Sequence, residues 1–147
     1  HLMKKAIIAC LSLLWAVSAF AQDTTAKGTV FTQGTLKELL AQAGKQEKYL
    51  FVDVYAVWCG PCRYMATKIF PQPKVGDYFN KTFVNAKFDA EKGEGIAVAR
   101  KYDVRSYPTF LILDEKGEEV GRVVGAADAD RFIATVQKVV AAIGKEE

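Results

Sequence analysis

Two cysteines, Cys59 and Cys62, stand three positions apart in the run Trp58-Cys59-Gly60-Pro61-Cys62. Thiols can bond to each other, hold a soft metal or attack an electrophile, and the spacing selects among these. Side chains at i and i+3 of a helix have Cβ atoms about 5–6 Å apart, so a small local adjustment opens or closes a disulfide between them. The run lies where an apolar strand pattern gives way to a helical one. Pro61 suits a first helical turn, where its missing N–H is no loss, and Gly60 is expected to let the chain turn sharply beside the sulfurs. At the helix start Cys59 faces unpaired N–H groups and the positive end of the helix dipole. Its thiolate is therefore favoured, and it reads as the attacking sulfur with Cys62 resolving. A purely structural disulfide is the plain alternative, although so small a ring restrains little chain. Zinc needs four ligands and finds two thiols, which would require a symmetric pair of chains. A c-type haem needs His after the second cysteine, and Arg63 stands there.

Other chemistries are narrowed by what the chain lacks. The one histidine is His1, ahead of the first Met, which removes a Ser-His-Asp triad, a Cys-His pair and a His-ligated metal from the domain. No metal and no cofactor are expected. Asp53 lies six positions before Cys59 in the otherwise apolar run Tyr49 to Tyr55, where a carboxylate is expensive unless it has a partner or a task. An edge or bulge aspartate with a solvated head is the alternative.

The 147 residues are half apolar and a quarter charged, which fits one globular domain and excludes disorder and collagen-like repeats. Met3-Lys4-Lys5, the apolar run Ala6 to Phe20 and the Ala19-Phe20-Ala21 site have the form of an export signal, too short for the about 20 residues of a membrane span. Residues 1–21 are expected to be removed after Ala21, with His1 and Leu2 as additions ahead of the signal. Ile7-Ile8-Ala9-Cys10 loosely matches a lipidation signal, but only four residues separate Lys5 from Cys10 and the apolar run continues past it. Losing Lys4 and Lys5 leaves the basic residues one above the 17 acids, so no basic stripe remains for nucleic acid. Losing Cys10 leaves the Cys59/Cys62 pair alone.

Residues 22–28 read as a flexible lead-in and 29–147 as the domain. Thr35 and Glu38 have capping-box spacing ahead of a helix carrying Leu36, Leu39 and Leu40 and ending at Gly44. Tyr49 to Tyr55 reads as a strand covered on both faces. Met65, Ala66 and Ile69 continue a helical stripe that Pro71 and Pro73 are expected to end, followed by a polar stretch and a strand from Phe83 to Phe88. A short helix from Ile96 to Tyr102, a hairpin of Thr109 to Leu113 and Glu119 to Val124, and a last helix capped by Asp128 or Asp130 complete an α/β layer structure with helices on both sheet faces.

The Trp-Cys-Gly-Pro-Cys run resembles the active-site sequence of the thioredoxin family, and the resemblance extends from about Val30 to Ile143 because Tyr107-Pro108-Thr109 lies where that family places a cis-proline before a strand. The resemblance implies the thioredoxin fold, a central mixed β-sheet with helices on both faces. It implies that Pro108 is cis and that Trp58, Gly60, Pro61, Tyr107, Pro108 and Gly125 form the surface that receives a substrate polypeptide. It further implies that Asp53 assists proton transfer at the resolving thiol, with Lys87 on the neighbouring strand as its partner. Tyr55, Val57, Tyr107, the Pro71 to Asn80 connection and the Glu91 to Gly95 stretch depart from cytoplasmic thioredoxins. These features look more like exported thioredoxin-like domains and the soluble C-terminal domain of periplasmic disulfide reductases.

On this basis the expected function is a monomeric periplasmic thiol–disulfide oxidoreductase that reduces protein disulfides and draws electrons from a membrane donor of disulfide-reductase type. An oxidase or isomerase on the same fold, and a binding module whose cysteines are incidental, are the alternatives.

Overall fold

A computed structural model describes residues 27–145. The leader assigned to residues 1–21, and the lead-in as far as residue 26, lie outside the described residues. The elements run α1 (Leu36–Lys45), β1 (Tyr49–Tyr55), α2 (Gly60–Tyr64), a π-helical turn (Met65–Ile69), α3 (Pro73–Thr82), β2 (Phe83–Asp89), α4 (Glu94–Lys101), β3 (Thr109–Leu113), β4 (Glu119–Val124) and α5 (Ala129–Ile143). The four strands lie in the order β2-β1-β3-β4, with β2 parallel to β1 and the other two pairs antiparallel.

Strand β1 carries the fold because it is paired on both sides and covered on both faces. Successive side chains of a strand point to opposite faces. Leu50, Val52 and Val54 accordingly join Leu39 and Ala43 of α1 and Val98 of α4 in one apolar layer. Phe51 turns the other way, into a layer built with the helices α3 and α5 and the π-helical turn. Its ring lies 4.8 Å from that of Phe79, 5.3 Å from Phe83 and 5.5 Å from Phe110, while Phe79 stacks on Phe132 at 5.5 Å. Edge-on and offset contacts of this kind add to the area that the rings bury.

Local signals set the helix ends. Thr35 Oγ1 accepts the Glu38 backbone N–H at 3.1 Å and Glu38 answers with its carboxylate, so the capping box closes. Asp128, not Asp130, caps α5 by accepting from the Arg131 N–H at 3.0 Å, and Asp130 instead pairs with Lys74 at the surface.

The stretch after Ile69 departs from the sequence expectation. Pro73 does not end a helix there; it occupies the first turn of α3, where proline is well tolerated. Val75 and Phe79, one turn apart, bury the inner side of that helix among polar neighbours. Lys27 and Gly28, read as lead-in, lie against the domain: Thr29 N–H donates to Phe70 O at 2.8 Å, and a Cβ at Gly76 would collide with Lys27 O. Glycine at position 76 is what permits that approach. Thr32 N–H donates to Asn85 O at 2.8 Å, which sets residues 29–32 along the outer edge of β2.

Replacing Phe51 with alanine empties the centre of the aromatic layer. The expected loss is about 3–5 kcal/mol, read as a lower urea midpoint at unchanged slope. A loss under 1 kcal/mol would show that the layer repacks without it.

Candidate active site

Strand β1 ends at Tyr55, and Ala56, Val57 and Trp58 carry the chain over its end to Cys59, which caps α2. Cys59 is extended (φ −76°, ψ 114°), and its sulfur accepts the Cys62 backbone N–H at 3.2 Å. Cys59 and Cys62 are joined by a disulfide with Cα atoms 5.3 Å apart. Pro61 stands in the first turn of α2, where it costs no hydrogen bond. Gly60 does not make the sharp turn expected of it. It is the first residue of α2, its φ is not positive, and a Cβ there would meet nothing within 4 Å. What Gly60 supplies is open space beside the sulfurs.

Both cysteines are nearly covered, Cys59 at 4% and Cys62 at 5% exposure, whereas Trp58 is 69% exposed. Trp58 is nevertheless held on two sides. Its indole N–H donates to the Glu91 carboxylate, and its ring meets that of Tyr107 edge-on at 6.0 Å between centroids. Tyr107 also packs against Ala56, Cys59 and Cys62. The Tyr107–Pro108 peptide bond is cis, and Pro108 O accepts the Gly125 N–H at 2.9 Å. Gly125 has φ 91°, a conformation that disfavours any side chain, and faces open space. Trp58, Tyr107, Pro108 and Gly125 thus form one surface around the disulfide. Glu91 was singled out from sequence only as part of an unusual stretch; its clamp on Trp58 has no sequence signal beyond that.

On the other side of the disulfide a cleft of about 310 Å³ is lined by Cys62, Arg63, Tyr55 and Lys87, among others. Asp53, two residues before Tyr55 on β1, is 2% exposed and in register with Lys87 on β2 and Phe110 on β3. Burial raises the Asp53 carboxyl from its ordinary 3.8 to about 7, against an opposing pull from the Lys87 charge. One carboxyl oxygen, Oδ1, has no hydrogen-bond partner. The partnership expected between Lys87 and Asp53 is therefore one of field and register. No ion pair joins them among the described residues, and the Lys87 ammonium lies instead over the rings of Phe31, at 5.2 Å, and Tyr55, at 5.0 Å. Phe31 carries no sequence mark of this proximity, because it is brought there by a segment that pairs with the sheet edge.

No three His, Cys, Asp or Glu side chains converge on a metal position among the described residues. The arrangement is suited to thiol chemistry: a disulfide at a helix start, an open surface on one flank, a cleft lined by Cys62 and Lys87 on the other, and a buried titratable carboxyl in register with that lysine.

The family profile described as a thioredoxin-like domain matches residues 36–140. The chain belongs to the thioredoxin-like family. This thioredoxin-like chain is similar to Thioredoxin-2 of Pyricularia oryzae, with 37% identity over 106 residues that cover 71% of this chain and 57% of that protein, so it spans little over half of that relative's length. Among solved structures it is similar to a candidate disulphide-isomerase from Bacteroides thetaiotaomicron, at 43% identity and a TM-score of 0.70, covering 78% of this chain and 95% of that one. The oxidised C-terminal domain of Neisseria meningitidis DsbD is a third likeness, at 25% identity and a TM-score of 0.59, covering 75% and 97%. The thioredoxin fold is thereby shown, with its mixed four-stranded sheet between helical layers.

Asp53 gives the domain a pH signature. With the folded carboxyl near 7 and the unfolded one near 3.8, both states are protonated well below pH 4. As pH rises from there the unfolded chain releases its proton first, so the stabilising contribution fades and is gone above the folded value, a loss of about 4 kcal/mol across the window. Asp53→Asn should remove that slope. Thermal melts of both proteins from pH 4 to pH 8 should converge at the acid end and separate with the variant more stable at the alkaline end; parallel profiles would show that Asp53 does not titrate in this range.

Proposed function

We propose that this protein is a periplasmic thiol–disulfide oxidoreductase that reduces disulfides of protein substrates. The observation that carries this reading is the Cys59–Cys62 disulfide at the head of α2, flanked by the Trp58, Tyr107, Pro108 and Gly125 surface. In the reduced enzyme the Cys59 thiolate attacks one sulfur of a substrate disulfide, forming a mixed disulfide and releasing the other substrate sulfur as a thiolate. Cys62 loses its proton, with Asp53 as the acceptor, and attacks Cys59 Sγ. The second substrate thiolate leaves, and Cys59 and Cys62 are again a disulfide. The substrate gains the two electrons that the enzyme loses. A carboxyl poised near 7 is matched to taking and returning that proton near neutral pH.

Gly60 and Gly125 leave open space around the sulfurs, and an extended substrate segment can lie there beside the cis Pro108 turn while Trp58 and Tyr107 contact its side chains. Pro61 holds the first turn of α2 in place. Lys87 tempers the charge that Asp53 acquires. The export signal read in residues 1–21 supports a periplasmic setting, as does the similarity to a DsbD C-terminal domain. A reductant there must be recharged from across the membrane, so a membrane electron donor of disulfide-reductase type is the implied partner, and the protein acts as a monomer without cofactor.

The direction of electron flow is tested by the reduction potential of the Cys59–Cys62 pair, obtained by equilibrating residues 22–147 with dithiothreitol or glutathione and counting thiols. A value near the about −270 mV of thioredoxin is expected, and one near the about −120 mV of DsbA would make the protein an oxidant or isomerase instead. In parallel, Cys62→Ser should accumulate mixed disulfides through Cys59 in periplasmic extract. Recovery of none, with Cys59→Ala leaving partner binding and phenotype intact, would favour a binding module.

A further inference from the structure

Lys87 is placed by register directly beside a buried carboxyl, yet its ammonium is elsewhere. It lies between two aromatic faces, 5.2 Å from the centroid of Phe31 and 5.0 Å from that of Tyr55. Both rings are anchored independently of the lysine. Tyr55 is the last residue of β1. Phe31 meets Phe70 edge-on at 5.0 Å and is carried by a segment whose neighbours are pinned, Val30 N–H to Asn80 Oδ1 at 2.8 Å and Thr32 N–H to Asn85 O at 2.8 Å. A cation between two ring faces is attracted by both quadrupoles, and more strongly where water is partly excluded. Asp53, meanwhile, keeps Oδ1 without a hydrogen bond although a cation stands on the adjacent strand. Closing the pair would bring an ammonium into the sheet interior at a desolvation penalty, and the aromatic box offers it a half-exposed alternative.

We propose that Phe31 and Tyr55 are positioning residues for the proton transfer at Cys62: together they hold the Lys87 ammonium in an aromatic box and keep it from closing an ion pair with Asp53. This rests on the thiol–disulfide reading above and adds to it a control on the proton acceptor. With the ammonium boxed, its charge reaches Asp53 as a field only, and the carboxyl stays free to take a proton. With the box opened, the ammonium can move onto the carboxylate and hold it ionised.

The groups that face Asp53 are few enough to make the test clean. Strand β2 contributes Lys87 and, two residues on, Asp89, whose Oδ1 is engaged by the Glu91 N–H at 2.9 Å. Strand β1 contributes the Tyr55 phenol, itself raised above its ordinary value by burial and then by the charges of Asp89 and Asp53. Helix α2 contributes Cys62 and Arg63 at the cleft, while β3 presents uncharged Phe110 and the segment 31–34 carries no charge.

The experiment is a carbon-13 NMR titration of the Asp53 carboxyl in the oxidised protein, which needs no turnover, paired with the pH profile of mixed-disulfide resolution by rapid mixing. Phe31→Leu keeps the apolar contact with Phe70 and removes the ring face. It should lower the Asp53 midpoint by about 0.5–1 pH unit, a cation–π contribution expressed as a titration shift. Phe31→Tyr should restore the wild-type midpoint. The Phe31→Leu effect should vanish in a Lys87→Met background, where nothing is left to release. Phe31→Met serves as the second ring deletion should the leucine variant fold poorly. A midpoint that stays put in both ring deletions, or one that falls equally without Lys87, overturns the proposal. If the midpoint moves and the resolution profile does not, the box is established as the holder of Lys87 and Asp53 is excluded as the acceptor for Cys62.

Discussion

Asp53 places a carboxyl in the central strand, almost wholly covered, with one oxygen accepting no hydrogen bond. A group so placed resists ionisation, and the domain has to be stable enough elsewhere to hold it. That stability comes from the same strand. Phe51, two residues earlier on the same face, anchors the aromatic layer, while Leu50, Val52 and Val54 fill the opposite one. A strand buried on both sides cannot twist or slide to let water reach the carboxyl, because a one-residue slip would exchange its two apolar faces. The costly residue is thus held where it is by its neighbours in sequence.

The same register determines what lies above it. Since β1 ends at Tyr55, the three residues that follow carry the chain across the strand end to Cys59, and α2 begins there with the Cys62 N–H directed at the Cys59 sulfur. A disulfide at that point is closed by helix geometry, at a Cα separation of 5.3 Å, and opening it removes no long-range crosslink. The fold therefore tolerates both redox states. The cis Pro108 loop and Gly125, joined by one backbone hydrogen bond, supply the facing surface from β3 and the end of β4.

Much of this is legible in sequence because the signals are local. Thr35 with Glu38, the apolar run of β1, the hairpin about Gly117 and the cysteine spacing each specify a structure within a few residues. The α3 helix was hidden because Gln72, Lys74, Asp77 and Asn80 make its surface polar, leaving Val75 and Phe79 as the only deeply buried large side chains, and because a proline reads equally well as a terminator or as a first turn. Gly60 was given a backbone role when its contribution is the absence of a side chain. Lys87 shows the limit most clearly. Strand register brought it beside Asp53, but where the ammonium settles depends on Phe31, more than fifty residues away in the chain, and on the balance between an ion pair and two ring faces.

The polarity of the site bears on the direction of electron flow. An oxidant of this fold owes its potential to a stabilised reduced form, which is to say a stabilised thiolate at the attacking sulfur. Around Cys59 the stabilising groups are sparse. Its sulfur accepts the Cys62 N–H, and no lysine or arginine among the described residues hydrogen-bonds to it. Arg63, the nearest cation in sequence, directs its guanidinium to Val57 O at 3.4 Å, and Lys87 is held between its rings. The nearby acids are engaged elsewhere: Glu91 accepts from the Trp58 indole, and the Asp53 carboxyl is buried in β1. A sulfur with one backbone donor differs from one ringed by cations, which stabilise a thiolate. The direction proposed above, from the pair to a substrate, calls for surroundings of this kind.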